Sequence, residues 1–127
     1  MPATYRYTCC QASDIERPWH PGDLFVLHWI SEALPMTEAR PPTPVMLTAE
    51  LAGPFKTVDR LKTATTAAPF AQATSARTTT HGGKALTSTI LIPADAAPGL
   101  YRLNFAIDSA GEILSGSSVI EIVRVKP

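Results

Sequence analysis

Cysteine is nearly missing from this chain: there are two among 127 residues, and they adjoin as Cys9 and Cys10. Neighbours in a strand point to opposite faces, so the pair closes no chain loop. The spaced framework of a disulfide-stapled secreted domain is therefore excluded. The cysteines read as two ordinary thiols, one of them buried, with a vicinal or an intermolecular disulfide as the alternatives. Charge is also sparse. Eleven basic residues cancel eleven acidic ones, and neither sign forms a run. This pattern carries no electrostatic footprint for nucleic acid or anionic membrane, so neither is expected as a partner. Nothing approaches the roughly 20 consecutive apolar residues of a membrane helix, so no membrane insertion is expected. The first residues, Met1 to Arg6, lack the basic-then-apolar order of a secretory signal. The expectation is a cytoplasmic chain or a secreted one whose signal has been removed, and the compartment stays open.

Helical periodicity is scarce as well. Its nearest approach is Phe55 to Leu61, where Val58 and Leu61 are three apart without a clear cap. That stretch reads as strand or irregular.

What is present points to strands and turns: twelve prolines, seven glycines and 45% hydrophobic residues. The length fits one domain, 1–127, large enough for a real core. Tyr5 to Cys10 alternates as a first strand. Pro21-Gly22-Asp23 then opens a second, to about Ser31, with Phe25, Leu27 and Trp29 on one face. Leu24, Val26, His28 and Ile30 fall on the other, which is unusually apolar for a side meant to meet water. A loop carrying Pro35, Pro41, Pro42 and Pro44 follows, either a stiff cover over that face or a recognition arm.

The third strand, Val45 to Leu51, turns Val45, Leu47, Ala49 and Leu51 inward, and Gly53-Pro54 ends it. His81-Gly82-Gly83-Lys84 suits a hairpin turn, pairing about 73–80 with 84–92. Leu100 to Asp108 is the clearest strand, with Tyr101, Leu103, Phe105 and Ile107 on one face. Ser109-Ala110-Gly111-Glu112 leads into the last strand, Ile113 to Val125, where Gly116 is a candidate bulge and two faces compete for the core. About seven strands with turn signals between them predict an all-β fold, an antiparallel sandwich of two sheets.

On Pro21-Gly22-Asp23 entering a strand that ends in Trp29, and on Gly99-Leu100-Tyr101-Arg102-Leu103, the chain resembles the immunoglobulin-like or fibronectin-III-like domains of bacterial secreted and surface proteins. The resemblance implies a tyrosine corner at Tyr101. It also implies an apolar contact between Leu27 and Leu103 in place of the inter-sheet disulfide. Trp29 departs from the family pattern, sitting on the second strand and not the third. No functional residue carries over, since the functions of this superfamily live in its loops and edges.

Candidate chemistry is thin. His20, His28 and His81 with the two cysteines lack metal-ligand spacing, so no metal or other cofactor is expected. No serine elbow, phosphate-cradling loop or carboxylate pair accompanies the scattered Ser, His and Asp residues, so the chain reads as no enzyme. Trp19, between Pro18 and His20, is the surface aromatic candidate, with packing under the proline-rich loop as its alternative. The expectation is a non-catalytic interaction module that binds a protein partner or forms a homodimer. Its binding surface would use Trp19, His28, Leu24, Val26, Ile30 and Arg40. The alternatives are a carbohydrate- or small-ligand-binding domain using Trp19 and the loop around Arg40, and a metal-binding protein or enzyme using the histidines.

Overall fold

Alternating side chains commit most of this chain to strands that are wet on one face. A computed structural model describes residues 3–35, 41–63, 69–82 and 85–124. Their elements run β1 (Ala3–Thr8), α1 (Ala12–Ile15), β2 (Leu24–His28), β3 (Ile30–Pro35), β4 (Pro44–Phe55), α2 (Val58–Thr63), β5 (Pro69–Gln72), β6 (Ala76–Thr79), β7 (Thr87–Leu91), β8 (Gly99–Ser109) and β9 (Glu112–Ile122). The chain is all-β, every pair of named strands is antiparallel, and the sheets do not close into a barrel.

The five-stranded sheet runs β5-β4-β8-β9, with β6 also on β4; β2 pairs with β7, and β1 with β3. One core joins these layers. Phe25, Leu27, Trp29, Ile90 and Ile92 meet Leu47, Leu51, Tyr101, Leu103, Ile120 and Ile122 in it. The competition along β9 resolves toward Ile120 and Ile122, both buried, with Val119 only half-buried.

The described residues hold nine strands where about seven are expected, and the surplus has local causes. The second strand breaks at Trp29. Its backbone N–H still bonds Leu86 O on the β7 side at 3.0 Å, while Ile30 already pairs with Thr8. Ile30 therefore leaves the face of Leu24 and Val26 and joins the β1–β3 ribbon. The expected hairpin between 73–80 and 84–92 does not form: β6 pairs with β4, and β7 with β2. Two glycines permit a turn, but the strands on either side of it, β6 and β7, belong to different sheets. Gly83 and Lys84 of that turn lie outside the described residues, as do 36–40 of the proline-rich loop.

Two further expectations change. The segment after Phe55 forms α2, and Thr57 caps it through Arg60 N–H to Thr57 Oγ1 at 3.1 Å. Gly53-Pro54 does not end the third strand, which runs on to Phe55. Gly116 makes no bulge either, since β8 and β9 pair without a register shift from Gly99↔Ile122 to Ser109↔Glu112. The glycine is there for space: a Cβ on it would lie 2.6 Å from Phe105 Cζ.

Tyr101 is fully buried, and its hydroxyl donates to Ala97 O at 2.7 Å. Tyr101→Phe removes that hydrogen bond and should cost about 1 kcal/mol in denaturant titrations at neutral pH. Burial also pushes the phenol above its usual value of 10.0. The unfolded chain ionises first, so this part of the stability is full below the unfolded value and drains away as pH rises through the folded one. Above pH 10 the wild type should therefore lose ground against Tyr101→Phe. A variant as stable as wild type at neutral pH, with the same alkaline decline, would contradict the hydrogen bond.

Candidate functional site

The segment before β2 is held by a type II turn at Pro21-Gly22. Proline presets the first central position, and Gly22 takes φ 86° at the second, with Asp23 N–H bonding His20 O at 3.1 Å. Asp23 Oδ2 accepts from His20 N–H at 2.9 Å, which fixes the corner from the other side. Upstream, α1 is a single turn with no side-chain cap, too short to persist alone. It is clipped to the end of β2 through Asp14. That buried carboxylate accepts from the His28 backbone N–H at 2.7 Å, and its other oxygen lies 2.9 Å from His28 Nδ1. Gln11 N–H bonds His28 O at 3.0 Å, closing the clip.

Trp19 lies beneath this turn. Its ring stacks on Phe25 at 4.4 Å, and the Arg17 guanidinium sits 4.2 Å over its centroid. Nε1–H donates to Asp14 O at 2.9 Å, and the backbone bridges β9 through Glu121 O and Val123 N–H. Only 6% of the residue is exposed. The surface aromatic expected at this position is thus a core residue, its ring packed on Phe25 and its backbone tied to the end of β9.

Above these residues is a shallow depression of about 390 Å³, lined by Asp14, Arg17, Trp19, Asp23, Leu24, Val26 and His28. Four of the six residues expected to bind meet there: Trp19, Leu24, Val26 and His28. Ile30 is removed to β3, and Arg40 lies outside the described residues. The Asp14–His28 pair has the form in which a carboxylate orients an imidazole, leaving Nε2 on a half-exposed ring. No hydroxyl or thiol is among the lining residues, so the pair has no nucleophile beside it to activate. Its hydrogen bonds are spent on the clip between α1 and β2. Among the described residues no three His, Cys, Asp or Glu side chains gather as a metal site.

Cys9 and Cys10, expected as thiols, are joined as a vicinal disulfide. The expectation assumed an extended strand through both, whereas β1 ends at Thr8.

At the rim, Leu24 is 62% exposed and faces its cross-strand partner Leu91, 63% exposed. Sequence reasoning missed Leu91. It sits in the unbroken run Ile90-Leu91-Ile92, where alternation is hidden and only the burial of Ile90 and Ile92 marks the middle residue as outward.

No family model matches the chain, and no curated protein matches it. Among solved structures it is similar to a DUF4466 family protein from Parabacteroides merdae, at 12% identity and a TM-score of 0.47. The match covers 96% of this chain and 46% of that one, so the chain spans about half the length of that protein.

Proposed function

We propose that this chain is a non-catalytic interaction module of immunoglobulin-like architecture that binds a protein partner through the outer face of β2–β7. The architecture is supported by the Tyr101 hydroxyl tied four residues upstream, and by Leu27 and Leu103 fully buried in one core. The observation that carries the function is the exposed cross-strand pair Leu24 and Leu91. Two adjacent leucines kept in water on a sheet face are costly unless a partner covers them, and apolar anchors of this kind concentrate binding energy. Arg17 and Asp23 in the adjoining depression supply a polar rim of both signs. The partner is a protein surface presenting an apolar side chain to the leucine pair. A sugar would need the Trp19 ring face, and that face is occupied by Phe25 and Arg17.

A photo-reactive residue at position 24 tests this in extract of the native cells. It should give a discrete adduct that Leu91→Asp removes, while a probe at the exposed Glu121 gives none. Leu91→Asp should change stability by no more than about 0.5 kcal/mol, as expected for an exposed position. An adduct indifferent to Leu91→Asp, or none at all, would refute the face as the binding surface.

A further inference from the structure

Over Ile113 to Ile120 the outer edge of β9 has no strand partner among the described residues and carries no charge. Which backbone groups point outward follows from its two ends. Ser109 and Glu112 flank a two-residue turn whose Ala110 and Gly111 have φ 54° and 90°. Such a turn closes on a hydrogen-bonded pair, so even-numbered residues of β9 bond to β8. At the far end Glu121 O and Val123 N–H bond Trp19 on the opposite edge. With no register shift between these ends, Ile113, Ser115, Ser117 and Val119 turn their N–H and C=O groups outward. Among the described residues no hydrogen bond is recorded to those groups. Natural edge strands are guarded by lysine, proline or a bulge; this one has none of the three between Ile113 and Val119.

We propose that this edge pairs with the same edge of a second copy, antiparallel, across a two-fold axis at Gly116. The occupant follows from the pattern of the strand itself. About Gly116 the outward residues fall opposite matching ones: Ile113 faces Val119 of the second copy, and Ser115 faces Ser117. Apolar meets apolar and hydroxyl meets hydroxyl, with like charge nowhere opposed. Gly116 meets its own copy at a non-hydrogen-bonded position, where the strands come closest in Cα separation, and it brings no side chain to that approach. Four outward residues on each strand give about eight interchain hydrogen bonds. The pairing joins two five-stranded sheets into one, removes both bare edges and closes as a dimer. It is independent of the leucine pair on β2–β7, which lies on another surface.

The test is sedimentation at about 100 μM, with circular dichroism as the folding control. Wild type should be a dimer. Ser117→Pro removes an outward N–H and leaves the bonds to β8 in place, so it should be a folded monomer. Two double variants read the register and decide the case if the proline variant unfolds. Ser115→Lys with Ser117→Lys sets like charges opposite one another twice, and should weaken dimerisation about tenfold or more. Ser115→Glu with Ser117→Lys sets opposite charges there and should keep the dimer. A monomeric wild type overturns the proposal, as does a dimer that withstands the double lysine variant. Equal behaviour of the two double variants overturns the register. Leu24→Asp should leave the dimer intact, so the two surfaces succeed or fail separately.

Discussion

Leu27→Ala and Leu103→Ala are each expected to destabilise the fold by about 2–5 kcal/mol, the range for leucines truncated in a closed core. Both side chains are wholly buried in the cluster shared by the β2–β7 pair and the five-stranded sheet. The one disulfide among the described residues joins neighbours in sequence, so no covalent link between these layers shares the load. Each truncation removes contacts from both layers and leaves a cavity that fully paired strands cannot easily fill. Leu24→Ala is the control, on the same strand with its side chain in water, and it should stay within about 0.5 kcal/mol of wild type. Urea titrations read all three. Comparable small losses at Leu24 and Leu27 would mean that β2 is turned over by one residue.

That facing was legible in sequence because alternation is a local property. Phe25 and Leu27 on β2, Val45, Leu47, Ala49 and Leu51 on β4, and Tyr101, Leu103 and Ile107 on β8 are buried as the period of two requires. Strand partners are not local, and there the sequence misled. The two glycines after His81 favour a turn on their own account, yet β6 and β7 choose β4 and β2. The break at Trp29 is of the same kind. Its indole Nε1–H donates to Ser88 Oγ at 2.9 Å, a buried pair 59 residues apart, and neither residue carries a local mark of the other. The Thr57 cap of α2 is not distinctive in sequence, because threonine before a short, weakly periodic run looks the same in a loop.

The depression was legible in half. Leu24, Val26 and His28 follow from the outward face of β2, and the turn at Pro21-Gly22 from its residue types. Asp14 left no signal. In sequence it is one more loop carboxylate, and its role depends on α1 returning to the end of β2, where the His28 N–H awaits an acceptor. Leu91 is hidden by apolar neighbours, and the edge of β9 leaves no side-chain signal, since its exposed chemistry is backbone.

Trp19→Ala should be the most damaging single change in this region, at about 3–5 kcal/mol. The loss has three sources. The ring leaves a void against Phe25, Asp14 O loses its indole donor, and Arg17 loses the surface it covers. The damage should not stay local, because the Trp19 backbone ties the segment to the end of β9 while α1 holds the end of β2 through Asp14. Trp19→Phe separates the parts: it keeps most of the stacking and forfeits the hydrogen bond, so it should cost about 1–3 kcal/mol, the scale of an unsatisfied buried carbonyl. Thermal and urea unfolding of both variants read these losses. Hydrogen exchange at the His28 amide should quicken in Trp19→Ala as the α1 clip loosens. If Trp19→Ala is instead as stable as wild type, the indole stands in solvent, the sugar-binding alternative regains its aromatic platform, and the clip between α1 and β2 must be held by Asp14 alone.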